Sequence, residues 1–186
     1  EEVEESIAAN TLGTVAHDCL ETLYKPYEGE VLSVSAIENM QSQLEATLSK
    51  KFISHFGTTG HSTGKNLLLF AAAKHNLNRV LEADKQLMQS GTTIQLIGVE
   101  MQKKVTKNFD GVPFPVCFKG VVDRVDLIDG QLRILDYKTG TTEPRELLCD
   151  DIVSLSEDPK HSKAFQVLFY SMLLADRLDS DAAFTA

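Results

Sequence analysis

The fold is decided by one stretch, residues 120–140, which reads GVVDRVDLIDGQLRILDYKTG. Two apolar, β-branched runs lie on either side of Asp129-Gly130, a dipeptide that favours a two-residue hairpin turn. Successive side chains of a strand point to opposite faces, so Asp136 and Lys138 share one face. A hairpin centred on this turn also pairs Asp123 with about position 136. The stretch therefore predicts two aspartates and a lysine on one side of a β-hairpin.

Three segments rich in β-branched residues predict consecutive antiparallel strands in the middle of the chain. They cover residues 92–105, 114–128 and 131–139. Helical periodicity precedes them and returns in a final amphipathic helix over 162–178. The earlier helices are predicted at about Val3–Tyr24, from a Ser35/Glu38 capping box to Phe52, and at Lys65–Gln89 before Gly91. This order predicts an α/β (α+β) sandwich rather than alternating βαβ units.

The length of 186 residues and the 42% hydrophobic content suit one domain with a sizeable core, and the chain is too short for two such domains. We expect one domain over 1–186, with a helical insertion at 28–91. No apolar run approaches the roughly 20 residues that cross a bilayer, and the amino terminus is acidic, unlike a signal peptide. We therefore expect a cytoplasmic chain without a membrane partner. Because position 1 is not Met, we expect a C-terminal fragment of a larger protein.

The charge distribution restricts how the chain could hold nucleic acid. A net charge of −9 argues against a broad basic face, because phosphate neutralisation needs clustered lysines and arginines. It leaves room for a local basic groove. Acids are concentrated at the amino terminus, whereas Lys103, Lys104 and Lys107 cluster near the middle.

Neighbouring carboxylates on the predicted hairpin repel each other unless a cation lies between them. A divalent metal resolves the conflict, and oxygen ligands at this density suit Mg²⁺ or Mn²⁺. Such an ion lowers the pKa of bound water for attack on phosphorus, and Lys138 beside it would stabilise the developing charge. Each piece has a plain structural alternative. A D-x-K pair is often an exposed ion pair, and residues 123–126 (DRVD) could be a surface ion-pair run.

Four blocks of the sequence resemble the PD-(D/E)xK nuclease superfamily and, within it, the RecB-like exonuclease branch. They are GTVAHDCLE (13–21), GVVDRVD (120–126), DYKTG (136–140) and QVLFY (166–170), in the order of that branch. The resemblance covers residues 13–170. It implies a restriction-endonuclease-like core in which helices flank a central mixed sheet with an antiparallel strand meander.

The resemblance also implies a set of metal ligands and a catalytic lysine. Asp123 and Asp136 would bind the metal and take part in catalysis, together with Lys138. His17 and the backbone carbonyl of Tyr137 would complete the ligands. A lone histidine on an apolar helix is more often a satisfied core or surface residue. The assignment of His17 as a metal ligand therefore depends on its place in the first block. A nitrogen ligand would suit Mn²⁺ better than Mg²⁺.

Further residues are expected around this set. Gln166 and Tyr170, spaced i and i+4 on one helix face, would contact the DNA or brace the site. The alternative is that this helix carries only an apolar core stripe, which Tyr170 caps. Glu100 is a possible additional acid near the metal. Arg124 and Asp126 would support the site from outside the ligand set.

The cysteines restrict the cofactors. Some relatives of this nuclease type hold an iron–sulfur cluster with four cysteines, and this chain has three. Cys19, Cys117 and Cys149 lie far apart without a CxxC pair, which also disfavours a zinc ribbon or a disulfide framework. We expect free, buried thiols and no iron–sulfur cluster.

The functional hypothesis is a Mg²⁺- or Mn²⁺-dependent deoxyribonuclease, the exonuclease module of a helicase-nuclease in DNA repair or recombination. Its partners would be DNA and helicase or scaffold domains of the same or a partner chain. Two alternatives stay open. The fold could be a catalytically inactive module that binds DNA or a protein, or the carboxylates could serve a small-molecule metallohydrolase.

Overall fold

The structure is a computed structural model that describes residues 2–56, 64–140, 143, 146–148, 155 and 158–175. Its helices are α1 (Glu2–Tyr24), α2 (Val34–Phe56), α3 (Gly64–Gln89) and α4 (Ser162–Leu173). Its strands are β1 (Ile94–Lys107), β2 (Val116–Ile128) and β3 (Gln131–Leu135). Short 3₁₀ turns lie at Lys25–Tyr27 and Pro159–His161.

The three strands form an antiparallel meander in the order β1-β2-β3. Asp129 and Gly130 have φ values of 50° and 85°, as the two central residues of a type I′ hairpin turn require. The last ladder pair of this hairpin is Arg124 with Leu135, which places positions 123 and 136 next in register. The predicted meander flanked by helices is confirmed. All strands in the described ranges are antiparallel, so the parallel strand of a mixed sheet is not among them.

Helix α2 begins earlier than the capping box predicts. The Ser33 hydroxyl accepts a hydrogen bond from the backbone N–H of Ala36 at 3.1 Å and caps the helix. Ser35 lies inside the first turn. The carboxylate of Glu38 lies 2.9 Å from Lys85 Nζ on α3, an ion pair between the two helices. The capping box at Ser35 and Glu38 is therefore wrong.

Helix α3 ends where the sequence predicts. Gly91 has a φ of 99°, a conformation that glycine adopts without steric cost. Its N–H donates to the carbonyl of Met88 at 3.0 Å, and the N–H of Thr92 donates to the carbonyl of Leu87 at 3.1 Å. These bonds satisfy carbonyls of the last turn and direct the chain into β1.

Helices α1, α2 and α3 pack against one face of the sheet and form the helical core. The helices contribute buried apolar side chains at three- and four-residue spacing, and β1 contributes Ile94, Leu96 and Val99. Members from the helices include Val15, Cys19, Leu23, Ile37, Met40, Leu44, Leu48, Phe52, Leu77 and Leu81. This packing holds α1 across the sheet and so positions His17.

Helix α4 covers the opposite face of the sheet. Val122 and Val125 of β2 pack there with Tyr170, Leu173 and Leu174 in a smaller core, the α4 core. A Cβ on Gly120 would lie 2.8 Å from Leu173 Cδ1, so glycine lets the helix approach the strand closely. The helix ends at Leu173 within the described ranges, and the predicted continuation over 176–178 lies outside them.

Other expectations have mixed outcomes. Cys19 is buried, as predicted, and burial raises the pKa of its thiol to about 12. Cys117 is exposed, so its predicted burial is wrong, and Cys149 lies outside the described residues. The reason is that Cys117 lies on a strand face that no described helix covers. None of the described helices combines the length and apolarity that a membrane crossing needs. The helical insertion at 28–91 stays a prediction.

Candidate metal centre

The ladder between β1 and β2 is interrupted at Glu100 and Asp123, which form no ladder pair. Glu100 has a φ of 45°, in the left-handed region that residues with side chains rarely adopt. Such strained backbone concentrates at functional sites. The pairs on either side are Val99↔Arg124 and Met101↔Val122. Val99 and Glu100 are consecutive, yet both side chains face the helices, so the alternation of side chains along β1 breaks here. The carboxylates of Glu100 and Asp123 both point towards α1.

His17 on α1 points its ring into this interruption. Its Nδ1 lies 3.4 Å from Glu100 Oε1 and 3.5 Å from Asp123 Oδ1. Its Nε2 donates a hydrogen bond to the backbone carbonyl of Tyr137 at 2.9 Å. One potential ligand atom from each of His17, Glu100 and Asp123 lies within 4.8 Å of the others. We call these three residues the metal centre.

Strand β3 ends at Leu135, although the sequence predicts that it continues to residue 139. The reason is a side chain: the backbone N–H of Tyr137 donates to Asp123 Oδ2 at 2.6 Å instead of to a ladder carbonyl. This bond fixes the Asp123 carboxylate. It also leaves the Tyr137 carbonyl directed at His17.

Asp123 is a buried carboxyl group, with 7% of its surface exposed. Its pKa is raised from 3.8 to about 6, mainly because burial disfavours the charged form. The Tyr137 N–H and His17 oppose this rise, whereas Asp136 and Glu100 contribute to it. The centre therefore concentrates negative charge where water cannot solvate it well.

Lys138 connects a second row of side chains to the centre. Its Nζ lies 2.5 Å from Asp136 Oδ2 and donates to Gln166 Oε1 at 3.0 Å. Gln166 Nε2 donates in turn to the Tyr170 hydroxyl at 2.7 Å. The predicted pair on α4 thus lies against the lysine. Asp136 forms an ion pair with Lys138. Among the described residues, the second carboxylate close to His17 and Asp123 is therefore that of Glu100.

Arg124 and Asp126 lie in a separate buried cluster that also contains side chains the sequence did not single out. Arg124 is fully buried, with Nη1 2.5 Å from Asp84 Oδ2 and Nη2 2.7 Å from Asp126 Oδ2. Its guanidinium carbon lies 4.3 Å from the ring centroid of Tyr24, whose hydroxyl donates to Asp84 at 2.7 Å. Arg133 pairs with Asp126 at 2.8 Å and Asp84 at 3.3 Å. We call these five residues the Arg124 network.

Asp84 carried one signal that sequence reasoning could have used. It follows Leu77 and Leu81 at helical spacing, so it falls on the buried face of α3. An acid at such a position is rarely buried without a cationic partner. Its partner was not identifiable from the sequence, because Arg124 lies 40 positions away.

The donor set suits a divalent cation. It offers the imidazole Nδ1 of His17 and two carboxylates, a mixture that Mn²⁺ accepts and whose oxygens suit Mg²⁺. The Tyr137 carbonyl accepts from Nε2 on the other edge of the ring and so orients the histidine. Three acids, Glu100, Asp123 and Asp136, lie together with one lysine, Lys138. Partly buried negative charge in excess is stabilised by a bound cation.

Comparison with known proteins identifies the family. A family model of the PD-(D/E)XK nuclease superfamily matches residues 1–184. No curated protein and no solved structure gives a significant match. The match covers nearly the whole chain, including every element that contributes to the metal centre. The chain belongs to the PD-(D/E)XK nuclease superfamily.

Proposed function

We propose that this domain is a divalent-metal-dependent deoxyribonuclease of the RecB-like branch that removes nucleotides from DNA ends. The observation that carries the proposal is the convergence of His17, Glu100 and Asp123 at the break in the β1–β2 ladder, with Lys138 nearby. Superfamily membership supports nuclease chemistry. The choice of DNA and of an end-dependent action rests on the four sequence blocks.

The ligands in this proposal are His17 Nδ1, Asp123 and Glu100, with Asp136 as a further carboxylate. The Tyr137 carbonyl, a ligand in the family's pattern, here accepts from His17 Nε2 and orients the ring. When bound, Mg²⁺ or Mn²⁺ supplies Lewis acidity that activates water and neutralises charge on the phosphate. Asp123 is held ready by the Tyr137 N–H, so its carboxylate needs little reorganisation.

Lys138 is placed to act on the substrate. An ammonium group has three N–H donors, and two of them are directed at Asp136 and Gln166. The third is available to a phosphate oxygen or to the attacking water. The side chain is 37% exposed, so a substrate in solution can reach it. A fixed ammonium beside the scissile phosphate stabilises negative charge that develops in the transition state.

Gln166 and Tyr170 would position Lys138 rather than react. Gln166 accepts from the lysine and donates to the tyrosine, so α4 orients the ammonium through two consecutive hydrogen bonds. The close packing of α4 at Gly120 holds this helix against β2.

The resemblance to the RecB-like branch extends the proposal to biological context. We propose that helicase or scaffold domains, in the same or a partner chain, present DNA to this domain during repair or recombination in the cytoplasm.

The test is cleavage of end-labelled linear DNA by the purified domain with Mn²⁺ or Mg²⁺. We expect release of mono- and short oligonucleotides, suppression by EDTA, and no cut in a covalently closed circle. Lys138→Ala should lower the rate by at least about 100-fold without changing the circular dichroism spectrum. Lys160, whose side chain is 82% exposed, provides the control Lys160→Ala, which should cleave like the wild type.

Two results would overturn parts of this proposal. Failure of the wild type to cleave any DNA with either metal, or full activity in Lys138→Ala, would remove the nuclease assignment. Cutting of the closed circle would remove the end-dependent action and leave an endonuclease.

A further inference from the structure

The outer part of the β1–β2 hairpin extends beyond the metal centre. We call residues 101–122 the lysine ribbon; its strands pair from Met101↔Val122 to Lys107↔Val116 without a register shift. The ribbon carries four lysines and one acid, Asp110, in a chain of net charge −9. It is therefore a local basic surface on an acidic protein.

Lys104 and Lys119 lie directly opposite each other in this ribbon, and both are exposed. Opposed residues of an antiparallel ladder point to the same face with Cβ atoms about 5 Å apart, and like charges placed in this way destabilise the pair. Within the described ranges, no acidic side chain forms an ion pair with either lysine. An anion from outside the chain would neutralise both.

The lysine pair lies on the same sheet face as the metal centre. Val122 packs into the α4 core, so Asp123, Val121 and Lys119 point to the other face, where His17 lies. Val121 and its ladder partner Gln102 occupy the positions between the lysines and the carboxylates, and both are exposed. An open strip of sheet therefore leads from the lysine pair to the metal centre.

The dimensions of this strip fit one nucleic-acid strand. Lys119 precedes Asp123 by four residues, which is about 13 Å at about 3.3 Å per strand residue. A B-form strand carries one phosphate per about 3.4 Å of axis, and an unstacked single strand is more extended, so the strip spans at most about four nucleotides. Two lysines about 5 Å apart contact one phosphate backbone rather than both backbones of a duplex.

The tip of the ribbon adds an aromatic group. Phe114 is 63% exposed. Phe109 is exposed too, but it contacts Phe118, which packs against Phe169 of α4, so Phe109 lies on the face away from the lysine pair. A basic track with exposed aromatic side chains is the combination that binds single strands, because unpaired bases stack on the rings.

We propose that Lys104 and Lys119 bind the backbone of single-stranded DNA within about four nucleotides of the scissile phosphate and guide the strand to the metal centre. This inference rests on the proposed nuclease function, which it deepens by assigning a strand-binding track. The two lysines contact phosphate, so the contact is independent of base sequence.

Binding can be tested separately from cleavage. Fluorescence anisotropy of a labelled 20-nucleotide oligothymidine, measured in EDTA over a range of salt concentrations, compares the wild type with Lys104→Ala/Lys119→Ala. We expect several-fold weaker binding and a slope of log K against log salt smaller by about 1.4, or about 0.7 per lost phosphate contact. The control Lys50→Ala/Arg79→Ala removes two exposed charges from α2 and α3 and should match the wild type. Equal slopes and affinities in the two double variants would overturn the proposal.

A cleavage assay with two substrates of different length distinguishes a loss of strand binding from a loss of the chemical step. With Mn²⁺, bis(p-nitrophenyl) phosphate is too small to reach both the metal centre and the lysines. Lys104→Ala/Lys119→Ala should hydrolyse this small substrate like the wild type but cleave the 20-nucleotide strand several-fold more slowly. Lys104→Arg/Lys119→Arg, which keeps both charges, should cleave the strand like the wild type. Equal loss on both substrates would overturn the track. If the wild type cleaves neither substrate, the proposed function fails, and the salt dependence of binding still decides the track.

Discussion

The Arg124 network and the metal centre start at neighbouring residues of β2, yet they accommodate buried charge in opposite ways. In the network, two arginines meet two aspartates, and the Tyr24 hydroxyl donates to Asp84. In the metal centre and its surroundings, three carboxylates accompany a single lysine. The Arg124 network is neutral by itself, whereas the described residues around the metal centre carry more negative than positive charge. The difference indicates that the first supports the fold and the second binds a cation.

Tyr137 connects the two regions. Its backbone N–H and carbonyl contact Asp123 and His17, and its ring packs against the helical core. The His17 and Tyr137 rings meet edge-on with centroids 6.0 Å apart. A change that displaces this ring therefore reaches the metal centre through the backbone. This contact explains why substitutions in the network need a stability measurement beside the activity measurement.

The largest effect is expected from Arg124→Met, because the substitution leaves Asp84 and Asp126 buried without their shared cation. We predict that the free energy of unfolding falls by about 3–5 kcal/mol. Urea denaturation followed by circular dichroism measures this loss. Arg79→Met removes an exposed arginine from α3 and should change the free energy by less than about 0.5 kcal/mol. Equal effects for the two variants would show that the network does not support the fold.

Asp123→Asn should raise the free energy of unfolding when no metal is present, whereas Arg124→Met lowers it. The asparagine oxygen can still accept from the Tyr137 N–H, while the charge that burial disfavours is gone. In EDTA at pH 7 we predict that the variant is more stable than the wild type, by about 1–3 kcal/mol. Urea denaturation in EDTA measures the difference, and a destabilised variant would contradict the assignment of excess negative charge.

The same pair of proteins gives a pH test. The pKa of Asp123 is about 6 in the folded protein and 3.8 ordinarily, so between these values the folded state retains a proton that the unfolded chain has lost. The stability of the wild type relative to Asp123→Asn should therefore fall as the pH rises from about 4 to about 6, and level off above that. A stability difference that stays constant over this pH range would show that burial does not raise the pKa of Asp123.

A smaller effect is expected from Gln166→Met, which keeps the side-chain volume but removes both hydrogen bonds. We predict about tenfold slower DNA cleavage, equivalent to one hydrogen bond to a charged group at about 1.4 kcal/mol, with unchanged Mn²⁺ affinity. Tyr170→Phe leaves the contact between Lys138 and Gln166 and should lose less activity. A larger loss in Tyr170→Phe than in Gln166→Met would mean that the tyrosine acts other than through Gln166.

Local sequence signals were sufficient for the meander and for most helix ends. The Asp129-Gly130 turn, the β-branched runs and the glycine after α3 each act within a few residues, so the sequence predicts their outcome. The hairpin register followed from the same turn, and it brought positions 123 and 136 together. His17 could be placed near them only through the family resemblance.

Features that depend on distant contacts were not predictable. Nothing local signals the left-handed backbone of Glu100 or the early end of β3, because both follow from how α1 and the Asp123 side chain meet the strands. The partner of Arg124 on α3 was missed for the same reason. The strained and charged positions are those where global packing overrides local preference.

Binding of Mn²⁺ to the metal-free domain, followed by isothermal titration calorimetry, tests whether the acid-rich cluster holds a cation. We predict that the wild type binds Mn²⁺ at this centre, and that Asp123→Asn and His17→Ala bind it more than about tenfold more weakly. Arg79→Met should bind it like the wild type. A wild type that binds no Mn²⁺, or an Asp123→Asn variant with unchanged affinity, would contradict the assignment of a metal centre to His17, Glu100 and Asp123.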